Sequence, residues 1–350
     1  MRLSVLDLVP VRTDQSTADA VAATVQVAQT ADRLGFTRYW VAEHHNMPAV
    51  AATSPPVLLA YLANRTERIR LGSGGVMLPN HAPLAVAEQF ALLEAMAPGR
   101  VDLGIGRAPG SDPVTSMALR GARAANDDDI ERFPEYLDHV AALMSTGGAR
   151  VGLSRGMLAQ QDYTLKATPA AVGECTLWLL GSSMYSAHLA AAKGLPYVFA
   201  NHFSGQGTAE ALATYRAEFR PSPELSAPRT FLTVNASVAD TAEEAHRLLL
   251  PNLQMMGRLR TGRPLGPLDL VEKAEATSVS AQEQLIIDSS VARTVVGDAA
   301  GAADQMRALA AEFDVDEVMV NPVASAFAGT AADTAPARER TLELLAKELL

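Results

Sequence analysis

The sequence predicts an α/β fold, a (β/α)8 TIM barrel with insertions that forms one domain over residues 1–350. The first third repeats after about thirty residues, the length of one strand-plus-helix unit. Eight apolar strand segments alternate with helical segments, which implies a parallel sheet, and eight units favour closure into a barrel. The alternative is an open doubly wound sheet, which is disfavoured because no Rossmann glycine fingerprint follows the first strand.

Start and stop signals place the early elements. Ser16 or Thr17 can cap a first helix that Gly35 ends, and Ser54 followed by Pro55 starts a second one. In chain order, the first part of the sequence is predicted to contain strands at Leu3–Val9, Tyr39–Ala42, Ile69–Leu78 and Val101–Ile105, and a third helix at Pro83–Met96.

The later elements follow the same alternation, with three irregular stretches. We expect a loop over 108–129, turns and short strands over 146–173, and an insertion over 257–290, with the first and last of these as candidate lids. The predicted strands are Thr176–Leu180, Tyr197–Ala200, Arg229–Ala236 and Glu317–Asn321, and the predicted helices are Ile130–Ser145, Ser183–Lys193, Thr208–Phe219, Thr241–Met256, Ala299–Glu312 and Arg338–Leu350.

Composition excludes several classes of protein. Hydrophobic residues make up 48% and charged residues 19%, which predicts a large core and not a disordered chain. A net charge of −10 disfavours nucleic-acid binding. The single Cys175 excludes an internal disulfide, Asp7 interrupts the first apolar stretch, and no apolar run is long enough to cross a bilayer. We therefore expect a cytoplasmic protein that binds neither nucleic acid nor membrane.

The second predicted strand runs directly into titratable side chains, in the sequence Arg-Tyr-Trp-Val-Ala-Glu-His-His over 38–45. Chemistry gathers at the carboxyl ends of parallel strands, so Glu43 and His44 are candidate catalytic residues. The alternative is a pair of partly exposed histidines on a loop. A metal site at His44 and His45 is disfavoured because neighbours on a strand point to opposite faces, so we predict no metal ligands. Asn201 and His202 follow the sixth strand and are expected to give hydrogen-bond support.

Glycine is unusually frequent in the third strand, at Gly72, Gly74 and Gly75. Glycine weakens a strand, so its presence needs a reason. One explanation is a tightly packed barrel interior without room for side chains. The other is close approach of the backbone to a flat ligand.

Two further strand ends are typical of an anion site. Gly106 and Arg107 end the fourth strand, and an arginine fork suits a phosphate, although a salt bridge would explain it equally well. The segment Gly181-Ser182-Ser183-Met184-Tyr185-Ser186 places hydroxyl groups within the first turn of a helix. The start of this helix can bind a phosphate, because its first N–H groups are free and the positive end of the helix dipole lies there. Simple capping of the helix by Ser182 or Ser183 would be compatible with a bound phosphate.

These pieces together resemble the bacterial-luciferase-like flavin-dependent monooxygenases, over nearly the whole chain and most closely their single-chain oxidoreductase subgroup. The resemblance rests on Trp40–His45, Leu71–Pro79, Gly104–Gly110, Leu179–Ser183 and Val318–Pro322.

The resemblance implies FMN at the carboxyl ends of the barrel strands and a non-proline cis peptide at Gly74-Gly75 against its ring. His44 matches the catalytic histidine, and Arg107, Ser183 and Ser186 match positions that hold the flavin phosphate. Gly106 stands where the light-emitting subunit has a reactive cysteine. The full set of cofactor-binding residues expected here is Gly74, Gly75, Met77, Gly106, Arg107, Gly181, Ser182, Ser183 and Ser186.

The resemblance further implies an FMN-dependent monooxygenase that uses O2 and takes reduced FMN, as co-substrate, from a separate flavin reductase. The substrate would be a small organic molecule, and helices such as Pro83–Met96 would form a homodimer face. Two alternatives stay open: a deazaflavin-dependent dehydrogenase of the same superfamily and a non-catalytic flavin-binding protein. A phosphate-substrate aldolase would need a lysine at a strand end, and the predicted strands have none.

Overall fold

The computed structural model describes residues 1–108, 112–121, 128–152, 162–171, 173, 175–203 and 205–350. Its strands are β1 Arg2–Asp7, β2 Arg38–Val41, β3 Arg70–Ser73, β4 Val76–Met77, β5 Val101–Gly106, β6 Ala149–Gly152, β7 Asp162–Leu165, β8 Thr176–Gly181, β9 Tyr197–Phe199, β10 Leu232–Val238, β11 Val295–Gly297 and β12 Glu317–Pro322.

The helices are α1 Thr17–Leu34, α2 Pro55–Ala63, α3 Pro83–Met96, α4 Pro113–Arg120, α5 Asp128–Glu131, α6 Phe133–Met144, α7 Met184–Lys193, α8 Thr208–Glu218, α9 Ala242–Arg260, α10 Val271–Ala276, α11 Ala281–Val291, α12 Ala299–Glu312 and α13 Pro336–Leu349, with a 3-10 turn at Leu78–Asn80. Within this described part of the chain, no helix has both the length and the apolar character needed to cross a bilayer.

Apart from β6 and β7, the strands form one curled parallel sheet, which confirms the predicted fold class. Strands β12, β1, β2, β3, β5, β8 and β9 are neighbours in that order, and β10 pairs with β12 at the other edge. A bridge between Tyr197 and Thr230 then joins β9 to the residues that precede β10, so the sheet closes on itself. All strand carboxyl ends therefore face the same mouth.

The predicted capping signals act as expected in α1. Ser16 and Asp19 form a reciprocal capping box, and Gly35 ends the helix with φ 87°, a left-handed conformation that glycine adopts freely. Ser54 occupies the cap position of α2, followed by Pro55, although its side chain makes no capping hydrogen bond. Local chemistry thus fixes where these helices begin and end.

Sequence reasoning missed regular structure in two of the irregular stretches. The stretch 257–290 contains the end of α9 together with α10 and α11, and β11 follows it. The sequence does not reveal these helices by periodicity, because α11 buries only Glu283 and Ile287, too few residues to give a helical pattern of apolar positions. The capping box of Ser280 and Glu283 was a local signal that could have indicated where α11 begins. The expected loop over 108–129 contains α4, capped by Asp112. The stretch 146–173 contains the antiparallel pair β6–β7, as predicted for short strands.

The third predicted strand is divided in two by a cis peptide bond at Gly74-Gly75, as the resemblance implied. Packing explains three of the glycines around it. A Cβ on Gly72 would lie 2.4 Å from Trp40 Nε1, one on Gly75 would lie 2.3 Å from Leu180 Cδ1, and one on Gly104 would lie 2.1 Å from the Ser73 carbonyl oxygen. Side chains at these positions would collide with the barrel interior, so the tight-packing explanation applies here.

Charged side chains fill the amino-terminal end of the barrel. The buried guanidinium of Arg38 lies 2.7 Å from Asp102 Oδ2 and 2.7 Å from Glu317 Oε1. An aromatic layer covers this ion cluster: the Arg38 guanidinium carbon lies 5.0 Å from the ring centre of Trp178 and 5.4 Å from that of Phe231. The barrel is therefore closed at its amino-terminal end.

Replacing Arg38 with Met should destabilise the fold strongly. The change leaves two buried carboxylates without their cation, and removing one partner of a buried pair costs about 3–5 kcal/mol. Urea unfolding measures the loss in the free energy of unfolding. Arg307→Met is the matched control, because Arg307 pairs with Asp304 at the surface and should cost under about 1 kcal/mol. Equal losses in the two variants would contradict a dependence on the buried cluster.

Candidate active site

The predicted site residues lie along one side of the barrel mouth and are linked to one another. Glu43 Oε2 accepts a hydrogen bond from the backbone N–H of Met77 at 3.0 Å. Met77 is the register partner of Gly106, and Gly106 is the partner of Leu180 on β8. The ends of β2, β4, β5 and β8 therefore form a continuous rim.

The Glu43 carboxylate is held rigidly below this rim. It is almost fully buried, and its Oε1 lies 2.8 Å from both His45 Nε2 and His81 Nε2. Burial tends to raise the pKa of Glu43, but the hydrogen bonds from His45, His81 and Met77, with the charge of His81, lower it to about 2. An ionised carboxylate only accepts hydrogen bonds, so both imidazoles donate through Nε2–H. Glu43 therefore positions the strand end, and sequence reasoning missed its partner His81.

His44 differs from His45 and His81 because its ring makes no hydrogen bond to any of the described residues. Its backbone N–H donates to the Ala52 carbonyl at 2.8 Å, which anchors the segment. Among the described residues, its buried Nδ1 has no hydrogen-bond partner. Burial lowers the pKa of His44, the charge of Glu43 opposes this shift and His45 adds to it. The ring is therefore neutral at pH 7 and free to accept or donate a proton.

Gly106 and Met77 leave room at the rim. A Cβ on Gly106 would meet only the Met77 sulfur, at an ordinary contact distance of 3.5 Å, and the Val76 carbonyl oxygen at 4.0 Å. Unlike Gly72, Gly75 and Gly104, Gly106 is therefore not required by barrel packing. A larger residue would fit at this position beside Met77.

The predicted anion-binding residues come together at the end of β8. The guanidinium carbon of Arg107 lies 4.1 Å from the ring centre of Tyr185, in the first turn of α7. Ser183 is the cap residue of α7, but its exposed side chain makes no capping hydrogen bond. Ser182 is also exposed. The helix start thus combines hydroxyl groups with a cation, as an anion site requires.

Ser186 lies deeper than the other two serines. Its Oγ donates to the Ser183 carbonyl at 2.7 Å and lies 3.2 Å from the Tyr197 hydroxyl, whose pKa burial raises to about 12. A Cβ on Gly181 would lie 2.1 Å from Ser186 Oγ. Glycine at 181 is therefore needed to let Ser186 pack beneath the start of α7.

The opposite side of the mouth carries a polar network that sequence reasoning largely missed. His202 Nδ1 lies 3.0 Å from Thr233 Oγ1, and Asn235 Nδ2 donates to the His202 carbonyl at 2.9 Å. Asn321 Nδ2 donates to Asn235 Oδ1 at 2.8 Å. Burial lowers the pKa of His202 to about 4, and His44 adds to this shift. The sequence signal that could have indicated this network is a polar residue at the end of an apolar strand, the same signal that indicated Glu43.

The structure also limits metal binding. Within the part of the chain that it describes, no three His, Cys, Asp or Glu side chains converge as metal ligands. Cys175 is free, and burial raises its pKa well above the ordinary value, with Asp102 acting in the same direction. This thiol lies near the base of the barrel and is not a nucleophile of the mouth.

A closed parallel α/β barrel with titratable and anion-binding groups at its carboxyl-terminal mouth defines a TIM-barrel enzyme. A family profile described as "Luciferase-like monooxygenase" matches residues 1–317. The chain therefore belongs to the luciferase-like monooxygenase family and is an oxidoreductase.

Full-length relatives support this assignment. The chain is 39% identical over 321 residues to a luciferase-like monooxygenase of Escherichia coli, a match that spans 91% of this chain and 90% of that one. It is 32% identical over 332 residues to the N-acetyl-S-alkylcysteine monooxygenase of Bacillus subtilis, spanning 93% and 94%. The solved structure of apo-MsnO8 matches with a TM-score of 0.82 and 32% identity, covering 99% and 98% of the two chains.

More distant solved structures share the fold. The oxygenating constituent of 3,6-diketocamphane monooxygenase from Pseudomonas putida, solved with FMN, matches with a TM-score of 0.68 and 18% identity. An F420-dependent secondary alcohol dehydrogenase, solved with an F420-acetone adduct, matches with a TM-score of 0.66 and 15% identity. Each match covers 99% of this chain and 98% of the other.

Acid should destabilise the protein through His202. Its pKa is lowered in the folded state, so between about pH 6.5 and 4 the unfolded chain binds a proton that the folded chain does not. The stabilisation is fully present above pH 6.5 and is lost as the pH falls towards 4. Urea unfolding at stepped pH values should show this decline, and His202→Gln should reduce it. The exposed His246→Gln is the control and should retain the decline; a reduction there as large as in His202→Gln would contradict the assignment.

Proposed function

We propose that this protein is an FMN-dependent monooxygenase that oxidises a small organic substrate with O2, using reduced FMN from a separate flavin reductase. The observation that carries the proposal is the pairing, on one rim, of an imidazole whose buried Nδ1 has no hydrogen-bond partner among the described residues with a cation at a helix start. Membership of the luciferase-like monooxygenase family supports it. So does the FMN bound in the Pseudomonas putida oxygenase of the same fold.

The described residues fit a flavin mononucleotide. We assign its phosphate to Arg107, the Ser182 and Ser183 hydroxyls and the first N–H groups of α7. Gly106 and Met77 leave space for a ring beside His44. Gly74, Gly75 and Gly181 contribute backbone, and Ser186 supports the turn from below. When bound, reduced FMN would supply the electrons that activate O2.

His44 is assigned the proton transfer in this proposal. A neutral imidazole can take a proton at one ring nitrogen and return it, which suits general acid–base work near pH 7. Glu43 is a positioning residue, because its oxygens are already occupied by His45, His81 and Met77. The carboxylate fixes the backbone at the end of β2, and the His44 ring is thereby fixed at the mouth.

The test supplies reduced FMN from a flavin reductase and follows O2-dependent product from a thioether panel, chosen because one relative is named for such a substrate. His44→Ala should lower turnover by roughly 10²- to 10⁴-fold while FMN affinity stays nearly constant. His246→Ala, a surface histidine, is the control. Equal loss of turnover and FMN affinity would reject the proton-transfer role.

Two other outcomes would favour the alternative functions. Anaerobic reduction of a deazaflavin by an alcohol, with no O2-dependent product, would favour a dehydrogenase. Tight FMN retention without any product would favour a flavin-binding protein.

Arg107→Ala should weaken FMN binding by roughly 10- to 100-fold, the value of a charge-assisted hydrogen bond. Riboflavin lacks the phosphate, so its affinity should change little. Fluorescence titration of both flavins measures the difference, with Arg307→Ala as the control variant. An equal effect of Arg107→Ala on FMN and riboflavin would remove the phosphate assignment.

We further propose a homodimer through α2 and α3. Both helices pack against the barrel and also expose apolar residues one helical turn apart: Val57 and Tyr61 are 68% and 42% exposed, and Leu92 and Met96 are 42% and 55% exposed. A helix that is apolar on two faces is expected to be covered on both. A second copy of the chain would cover this patch and is consistent with the resemblance to luciferases.

Light scattering after size exclusion should therefore give a dimer. The double variant Val57→Glu, Met96→Glu should give a folded monomer, because each charge would be buried without a partner. Val114→Glu is the control, since Val114 is also exposed, on α4. A monomeric wild-type protein at micromolar concentration would contradict the proposal.

A further inference from the structure

Four residues on the β9, β10 and β12 side of the mouth form what we call the acceptor wall: His202, Thr233, Asn235 and Asn321. The strands β2 and β9 lie four places apart in the ring of eight, so the acceptor wall faces His44 across the mouth. The electrostatic effect of His44 on His202 agrees with this arrangement. None of these four residues has a part in the flavin site described above.

The first hydrogen-bond chain in the wall orients His202. The Thr233 hydroxyl donates its single proton to the Phe199 carbonyl oxygen at 3.1 Å. Thr233 Oγ1 must then accept from His202 Nδ1, 3.0 Å away, as it does from the His202 backbone N–H at 3.4 Å. In a neutral imidazole with Nδ1 protonated, Nε2 carries a lone pair. Among the described residues, no donor contacts this nitrogen.

The second chain orients Asn321. The His202 carbonyl only accepts, so Asn235 must direct its NH2 group towards it, at 2.9 Å. The Asn235 Oδ1 then accepts from Asn321 Nδ2 at 2.8 Å. Asn321 Oδ1 therefore points away from Asn235, and the residue Asn321 is only 8% exposed. No donor within the described ranges contacts that oxygen.

Both chains begin at a backbone carbonyl and end at an acceptor atom, His202 Nε2 in the first and Asn321 Oδ1 in the second. We propose that Asn321 Oδ1 and His202 Nε2 bind an N–H or O–H donor on the organic substrate. Because the wall faces the candidate flavin site, this assignment of the ligand as substrate rests on the proposed function. At these two atoms the wall favours amides and alcohols, which bring an N–H or O–H donor, over esters, ethers and carboxylates, which bring none.

The test compares matched ligands that differ in one donor. N-methylbenzamide is paired with N,N-dimethylbenzamide, and benzyl alcohol with benzyl methyl ether. Dissociation constants come from ligand-observed NMR on the full chain, with and without saturating oxidised FMN. The donor member of each pair should bind about five- to tenfold more tightly, the worth of one neutral hydrogen bond.

Asn321→Leu should abolish this discrimination, whereas Asn64→Leu, at the exposed end of α2, should retain it. Equal binding of the pair by the wild-type protein would overturn the proposal. So would discrimination that survives in Asn321→Leu, which would reflect size alone. A loss of FMN affinity in Asn321→Leu, with the discrimination unchanged, would assign the wall to the flavin and would also overturn it.

A second measurement does not depend on Asn321→Leu folding. Nitrogen-15 NMR of the histidine rings at pH 7 should show His202 protonated at Nδ1 and unprotonated at Nε2, and Thr233→Val should remove this preference. Protonation at Nε2 in the wild-type protein would overturn the proposal. Neither experiment requires turnover, whereas the monooxygenase proposal is tested by the formation of an O2-dependent product. Failure of the donor preference can therefore be distinguished from failure of the monooxygenase proposal.

Discussion

The guanidinium of Arg38, held between the carboxylates of Asp102 and Glu317, closes the amino-terminal end of the barrel. These three residues lie at the amino ends of β2, β5 and β12, far apart in the chain. A buried cation needs its counter-charges at hydrogen-bond distance, so the three strands are held in a fixed relation to one another. Above the ion cluster, Trp40, Trp178 and Phe231 fill the bore. The site residues lie at the opposite end, where the strands have their carboxyl ends.

Side-chain alternation carries this arrangement from the base to the mouth. On β2, Arg38 and Trp40 point into the barrel while Tyr39 points outwards, where its hydroxyl bonds Asp7. The same period brings polar residues to the inner face near the top of β10 and β12, at Asn235 and Asn321. Glycines on β3 and β5 provide the clearance that Trp40 and Leu180 need. The mouth is therefore as well defined as the core beneath it.

Ionisable groups at the mouth are held in opposite charge states by the same burial. Glu43 remains ionised because hydrogen bonds from two imidazoles and a backbone N–H outweigh its loss of hydration. His44 and His202 remain neutral because their rings have no comparable compensation. One side of the mouth thus holds a fixed negative charge with a neutral base beside it, and the other offers oriented lone pairs. The fold is shared with an FMN-containing oxygenase and an F420-dependent dehydrogenase, so the barrel alone does not decide the chemistry.

The sequence by itself determined the alternation of strands and helices, the caps at Ser16 and Gly35, and the position of His44, Gly106, Arg107 and Ser183 at strand ends. These features are readable because capping, period and strand termination depend on neighbours in the chain. Only the tertiary structure decided that Gly72 and Gly75 serve packing, that Glu43 is tied by His81, and that Asn235 and Asn321 orient each other. Such contacts join residues tens to hundreds of positions apart, and no local pattern encodes them. Helices α10 and α11 fall between these cases, since the Ser280 capping box was local but their burial depends on α9.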